Sequence, residues 1–203
     1  MTKNNSNPYI LNLKNGLYNV LEDTLTEHTA EYYSTIQLNV SYDPGADCPR
    51  FKQFLEESMG GDMGQVKLIQ EMLGYFLIPV NLAQKCFVIV GAGGAGKSKL
   101  LMVLNELLLG KENVSNVSWQ ALNERFKTAE LFGKLANIFA DLPTKNIDDN
   151  GIFKALVGED YLTVEKKNSD PFSFQSNARL LFSCNSIPKN YGDRSDGFYR
   201  RLI

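Results

Sequence analysis

Cysteine and histidine are scarce in this chain. Cys48, Cys86 and Cys184 are widely spaced, no CxxC pair occurs, and His28 is the one histidine. Neither a disulfide framework nor a zinc site is indicated by so few, scattered ligands. Cys86 and Cys184 sit in apolar, strand-like runs and are expected as buried small hydrophobes. His28 lies in the polar stretch TLTEHTAEY and is not expected to be catalytic. Long apolar runs are missing too. CFVIV and GYFLIPV fall far short of the ~20 residues that span a bilayer, and MTKNNSNPYI has no signal-peptide core. A cytoplasmic protein without a membrane partner is expected. Nor is there an excess of charge. The net charge of −2 argues against a wholly basic nucleic-acid binder, while leaving room for a local basic patch. What is present is ordinary globular material. With 203 residues, 43% hydrophobic and 22% charged, the chain can build one substantial core, or one core and a small appendage.

The pattern along the chain changes twice. Residues 1–15 are polar and Asn-rich and read as a frayed or linker segment. STIQLNVSY alternates like a short strand, and YDPGADCP after it is a turn and a boundary. Residues 1–50 are therefore expected as a leading segment. From Pro49, Phe51, Phe54 and Leu55, then Val66, Ile69 and Leu73, recur at helical spacing until Pro79, so residues 51–84 read as a helical, collar-like piece. From residue 85 strands and helices alternate. CFVIV and LANIFADL are continuous apolar runs, as strands buried on both faces should be, and ARLLFSCN is a third. Between them SKLLMVLNELLLG carries an apolar face of Leu100, Leu101, Leu104, Leu107 and Leu108 and stops at Gly110. WQALNERFKTAELFG and GIFKALVG read as further helices, and YLTVEKKNSDPFSFQSN as a β-hairpin about a Lys-Asn-Ser-Asp tip. Residues 85–203 are thus expected to form an α/β core, a parallel sheet flanked by helices, with a small, mostly helical N-terminal appendage.

One motif in that core carries chemistry outright. Gly91-Ala92-Gly93-Gly94-Ala95-Gly96-Lys97-Ser98 satisfies GxxxxGK[ST], between an apolar strand and an amphipathic helix, the context a phosphate loop requires. Glycines let backbone N–H groups turn toward phosphates with no Cβ in the way. Lys97 would place positive charge between the β- and γ-phosphates, the Ser98 hydroxyl would ligate Mg²⁺, and Lys99 follows at the helix start, where the partial positive charge favours anions. ATP and Mg²⁺ are the expected cofactors.

Such a loop names the fuel and not the work. It needs an acid at the end of a neighbouring strand, and LANIFADLP offers Asp141. The plain alternative is that Asp141 only caps the following turn. ARLLFSCN ends in Asn185, placed to hydrogen-bond a γ-phosphate or an attacking water, or else simply to start the turn at Ser-Ile-Pro. DRSDGFYRRLI then presents Arg200 and Arg201, of which either would suit phosphoryl-transfer charge in a neighbouring subunit, unless the pair is merely solvated. At the hairpin tip, Lys166, Lys167 and Asn168 suit sequence-independent phosphate contact, or a soluble turn.

The order phosphate loop, acid, Lys-Lys hairpin, Asn-tipped strand and arginine pair resembles superfamily 3 helicases. It also looks like the C-terminal helicase module of phage, plasmid and pathogenicity-island primase–helicases, related to the poxvirus-type nucleoside triphosphatase. GAGGAGKS, ANIFADL, KALVGEDYLTVEKK, LLFSCNSIP and GFYRRLI carry the resemblance, and NLKNGLYNV, YDPGADCPRF and QEMLGYFLIP extend it upstream over nearly the whole chain. The resemblance implies a P-loop NTPase of AAA+-like fold and an ATP-dependent DNA helicase. Lys97 and Ser98 would bind nucleotide and Mg²⁺, Asp141 would be the Walker B acid, Asn185 the sensor, and Arg200 or Arg201 a finger acting in trans. It further implies a homo-hexameric ring around single-stranded or forked DNA, hairpins pointing into the channel so that Lys166, Lys167 and Asn168 track the backbone, and primase and other replication proteins as partners.

Two departures qualify this. Ala140 stands where many relatives have a second acid, and Asp148 and Asp149 lie beyond a Pro-containing loop, so the group that polarises water is open. The chain also stops at Ile203 inside an apolar run that should start another strand, and no primase signature is visible, so a helicase segment of a longer protein is expected. The competing readings are another P-loop ATPase, such as a packaging motor or a small-molecule kinase, and a truncated fragment that binds nucleotide without turning it over.

Overall fold

The computed structural model describes residues 7–144, 146–147, 149–188 and 195–203. The chain divides into two compact units, Met1–Ile78 with Met102–Gly110, and Pro79–Leu101 with Lys111–Ile203.

The first unit opens with strands β1 (Ile10–Leu13), β2 (Gly16–Asn19) and β3 (Thr24–Thr26), antiparallel in that order. Over residues 10–13 this corrects the reading of residues 1–15 as frayed or linker; residues 1–6 lie outside the described residues. Leu11, Leu13 and Leu17 are buried, so even a short alternation among polar residues has a core face. Gly16 is required there. Its φ is +151°, and a Cβ would come within 2.3 Å of the Thr26 carbonyl. STIQLNVSY, expected as a strand, is an extended segment only. It is tied to β1 by Leu38 N donating to Asn12 O and Lys14 N donating to Val40 O, too few bonds for a ladder. His28 hydrogen-bonds Asn12 and the Leu13 carbonyl, a structural task. Helix α1 (Pro49–Ser58) starts on its proline, and α2 (Met63–Tyr75) is capped by Asp62, which accepts from Gly64 N and Gln65 N. Their apolar faces bury Leu55, Val66, Ile69, Met72 and Leu73 as the helical spacing predicts.

The second unit is built on a four-stranded sheet, β4 (Phe87–Val90), β5 (Val114–Ser115), β6 (Ala136–Phe139) and β9 (Arg179–Cys184), all parallel, in the order β4-β9-β6-β5. Every residue of β9 is buried, which is why its sequence is a near-continuous apolar run. On the free side of β4, Leu202 forms a parallel bridge with Cys86, so the apolar run at 201–203 does begin to pair as a strand. Helix α4 (Gly151–Gly158) packs on the sheet, and β7 (Tyr161–Val164) pairs with β8 (Phe172–Gln175) as the expected hairpin. A stack of aromatic rings fills the core. Trp119 lies 4.4 Å from Phe153, 5.2 Å from Phe182 and 5.9 Å from Phe198 between centroids.

Two expected helices differ. SKLLMVLNELLLG is α3 (Lys97–Met102) followed by a π-helix (Val103–Leu109). Its buried leucines there are Leu104 and Leu109, five apart, while Leu107 turns out to solvent at 54% exposure. WQALNERFKTAELFG is two 3₁₀ turns, Gln120–Asn123 and Thr128–Leu131. Phe126, in a left-handed conformation (φ +72°), breaks the helix between them.

Candidate functional site

Parallel strands deliver their carboxyl ends to one edge of a sheet, and ligands of open α/β sheets gather there. β4 runs into the glycine loop and α3, its neighbour β9 ends at Asn185, and β6 runs on to Asp141. Three segments far apart in sequence therefore meet in one cleft of about 430 Å³, lined by Gly93–Lys99, Asp141 and Asn185. All the expected nucleotide and metal residues except Gly91 and Ala92 line it, and those two accept hydrogen bonds from Lys97.

Lys97 is the organising group. Only 8% exposed, it donates from Nζ to Gly91 O, to Ala92 O at 2.9 Å and to Asn185 Oδ1 at 3.0 Å. A buried ammonium needs such acceptors. Asn185 is thus in direct contact with the phosphate-loop lysine and is more than a turn residue. Asp141 sits in a left-handed conformation (φ +52°), fixed by Asp141 N donating to Ser183 Oγ and Leu142 N donating to Ser183 O. Aspartate is one of the few side chains that visits this region readily, and strained backbone gathers at functional sites.

The glycines fit a phosphate group. Gly94 and Gly96 have φ of +82° and +85°, so they are fixed by backbone conformation. Gly93 is not in that region, and a Cβ on it would meet no protein atom within 4 Å. The space beside it is open to the cleft. Ser98 is exposed in the cleft beside Asp141, a hydroxyl and a carboxylate suited to Mg²⁺. Among the described residues no cluster of three or more His, Cys, Asp or Glu groups occurs, so a metal here would lean on few protein ligands. Burial pushes the thiols of Cys86 and Cys184 above the ordinary range, with the Lys97 charge opposing it at Cys184, so both stay protonated and act as small hydrophobes. Asp148 lies outside the described residues. Asp149 accepts from Gly151 N at the start of α4, which occupies it away from the cleft.

The arginine pair does not line the cleft. Arg200 is exposed at the end of α5 (Asp196–Tyr199), and its carbonyl accepts from Lys85. Arg201 is half-buried and donates to the Gly197 carbonyl beside the end of α4. Phe198, stacked near Trp119, anchors this short helix.

Lys166, Lys167 and Asn168 lie at a second, polar cleft of about 590 Å³, together with Arg125, Phe126, Glu165, Ser169 and Asp170. Sequence reading missed Arg125 and Phe126. The guanidinium of Arg125 lies 4.8 Å from the Phe126 ring centroid and pairs with Glu165. The signal was an arginine beside an aromatic in a polar stretch, hidden by apparent helical periodicity.

A strand–glycine loop–helix unit with an acid and an amide on adjacent parallel strands defines the P-loop, AAA+-like fold class. The chain belongs to the family described as a family of unknown function, DUF5906, which residues 89–201 match; residues 2–60 match the segment described as D5 N terminal like. Over 97% of its length it is 24% identical to a putative helicase, L207/L206, of Acanthamoeba polyphaga mimivirus, of which it covers 21%. An uncharacterized mitochondrial protein, ymf21, of Marchantia polymorpha is 32% identical over 81 residues, 40% of this chain and 44% of that protein. Among solved structures, the apo C-terminal region of NrS-1 superposes with a TM-score of 0.62 at 18% identity over 80% of this chain and 38% of that one, and a second apo form with 0.61 at 17%. The matched stretch therefore covers less than half the length of each of these proteins. The D5-type N-terminal match and the likeness to a putative viral helicase agree with the resemblance to viral-type primase–helicases read from the sequence. No described helix is long and apolar enough to cross a membrane.

Proposed function

We propose that this chain is the motor portion of an ATP-dependent DNA helicase, the C-terminal module of a phage- or plasmid-type primase–helicase that serves replication of a mobile element in a cytoplasmic setting. The observation that carries this reading is the convergence of Lys97, Ser98, Asp141 and Asn185 on one cleft at the carboxyl edge of β4, β9 and β6.

In that cleft the backbone N–H groups of 93–98 and the Lys97 ammonium would receive the β- and γ-phosphates of ATP. Ser98 and Asp141 would hold Mg²⁺, which supplies charge neutralisation at the phosphates. Asn185 would hydrogen-bond the γ-phosphate or the attacking water. Arg200 or Arg201, outside the cleft of their own subunit, would serve a neighbour in a homo-hexamer around single-stranded or forked DNA, and a primase would be one of its partners. Lys166, Lys167 and Asn168 make the hairpin the element for the DNA backbone.

ATP turnover measured with and without single-stranded DNA tests this. DNA-stimulated hydrolysis that disappears in Lys97→Ala is expected. Equal activity in that variant overturns the phosphate-loop assignment, and DNA-independent turnover by a monomer favours another P-loop ATPase, such as a packaging motor or a kinase. A second reading is favoured by the position of the arginine pair: alone, this stretch of chain binds nucleotide without hydrolysing it. Tight ATP binding without turnover, with DNA present, would support that reading.

A further inference from the structure

The two lysines of the hairpin tip are adjacent in sequence and differ in situation. Residues Lys166–Ser169 form a turn closed by Ser169 N donating to the Lys166 carbonyl at 3.1 Å, with Asn168 left-handed (φ +61°) at its third position. Such a turn tolerates asparagine there and puts Lys167 at the apex. Lys166 stands at the start of the turn. Its ammonium lies 5.4 Å from the Phe132 ring centroid and 5.8 Å from that of Phe172, both within cation–π range. Phe172 belongs to the hairpin, whereas Phe132 follows the second 3₁₀ turn and leads through Leu135 into β6 and Asp141. The two rings meet edge to face at 5.0 Å, with Phe174 closing the cluster at 5.4 Å from Phe132. The preceding residue, Glu165, pairs with Arg125 from the same stretch of chain. Lys167 makes no hydrogen bond, ion pair or ring contact among the described residues.

We propose that Lys166 is a positioning residue: its cation, held over Phe132 and Phe172, clamps the hairpin to the segment that enters β6, and Lys167 alone of the pair is the phosphate contact. The clamp stands on the geometry of the unliganded protein, and the assignment of Lys167 rests on the reading of the hairpin as a nucleic-acid element. A lysine engaged with two rings and an apical lysine facing water divide the work of holding the loop and meeting the ligand.

Two measurements on the full chain test this. The first is amide hydrogen exchange of residues 161–175 in the absence of any ligand. Lys166→Met and Phe132→Leu should each speed exchange roughly two- to fivefold. Lys166→Arg, which keeps the cation over the rings, should restore protection, and Lys167→Met should leave it as in the parent. Unchanged exchange in Lys166→Met overturns the clamp, whether or not the protein binds DNA. The second is the salt dependence of binding to a labelled oligothymidylate. Lys167→Met should lower the slope of log affinity against log salt by about 0.7, the value for one phosphate contact on a single strand. Lys166→Met should weaken binding and leave the slope unchanged, and the double variant with Phe132→Leu should be no weaker than either single one. An equal loss of slope in both lysine variants overturns the division of labour. Absence of binding by the parent protein overturns the nucleic-acid reading, and with it the role of Lys167, while the exchange result still decides the clamp.

Discussion

Single residues decide whether the glycine loop is a turn or a cradle. At Gly94 the positive φ penalises any side chain, at a cost of about 1 kcal/mol for alanine. At Gly93 no protein atom is in the way, so Gly93→Ala should leave thermal stability within about 0.5 kcal/mol of the parent and weaken nucleotide binding. Calorimetric melting and ATP titration of the same variant separate the two effects. Loss of stability with unchanged binding would mean that the glycine serves the fold. The first unit offers a different residue-scale test. Tyr18 and Tyr42 both donate to Asp23 Oδ1, at 2.6 and 3.0 Å, with their rings stacked 4.3 Å apart. The Tyr18 hydrogen bond, then that of Tyr42, holds the Asp23 carboxyl below its ordinary range, while the carboxylate pushes Tyr18 up. The unfolded state therefore binds the Asp23 proton first as pH falls. The contribution is present above the ordinary aspartate value and is lost as pH drops through the lower folded one. Asp23→Asn should flatten the acid limb of a stability–pH profile. An acid limb identical to that of the parent would show that the cluster contributes nothing.

At the scale of elements, β6 and β9 were legible because burial on both faces writes itself as unbroken apolar runs, whereas β4, read as buried in the same way, lies at the end of the strand order and leaves Val90 48% exposed. FVIV, ANIF and RLLFSC are strands as read, and the hairpin was legible from its polar tip. The site edge followed, since two of the runs lead to Asp141 and Asn185, which line the cleft, and the first leads into the glycine loop. What was not legible depends on contacts between distant residues. The 3₁₀ turns carry helical spacing, yet the Thr128 hydroxyl donates to the Leu122 carbonyl and competes with a continuous helix, and Phe126 is held left-handed. In the π-helix the buried leucines, Leu104 and Leu109, are five apart, a spacing that a 3.6-residue period does not reveal. β1 was hidden in a polar context, and only its partners give it a core. The arginine-bearing helix α5 is a single turn and depends on Phe198, which is 3% exposed. Phe198→Ala should destabilise the second unit by about 3–5 kcal/mol and shift the emission of Trp119, the one tryptophan, to longer wavelength. A chemical-denaturation curve followed by fluorescence checks both, and an unchanged midpoint would show that the ring stack does not support α5.

At the scale of the whole molecule, the question is whether the arginines complete the cleft of another copy. Their absence from the cleft of their own subunit is what a shared site requires. Subunits carrying Arg200→Ala and Arg201→Ala, mixed with Lys97→Ala subunits, should regain part of the ATPase activity that each lacks alone, because some interfaces then pair an intact loop with an intact arginine. No recovery in mixtures that form rings would place the arginines outside catalysis. In the sequence, a finger acting in trans is implied only by the resemblance in motif order. Nothing in the spacing of the arginine pair says which copy it serves.

The ammonium of Lys97 is already shared among two loop carbonyls and Asn185. Ligand entry is therefore a swap of partners, and its net gain is smaller than the attraction between a bare cation and a phosphate. Under the proposed function, the same three oxygens would take the ammonium back when the product leaves. For a cyclic machine of the kind proposed, such a site would trade tightness of grip for ease of letting go, and the second matters as much as the first.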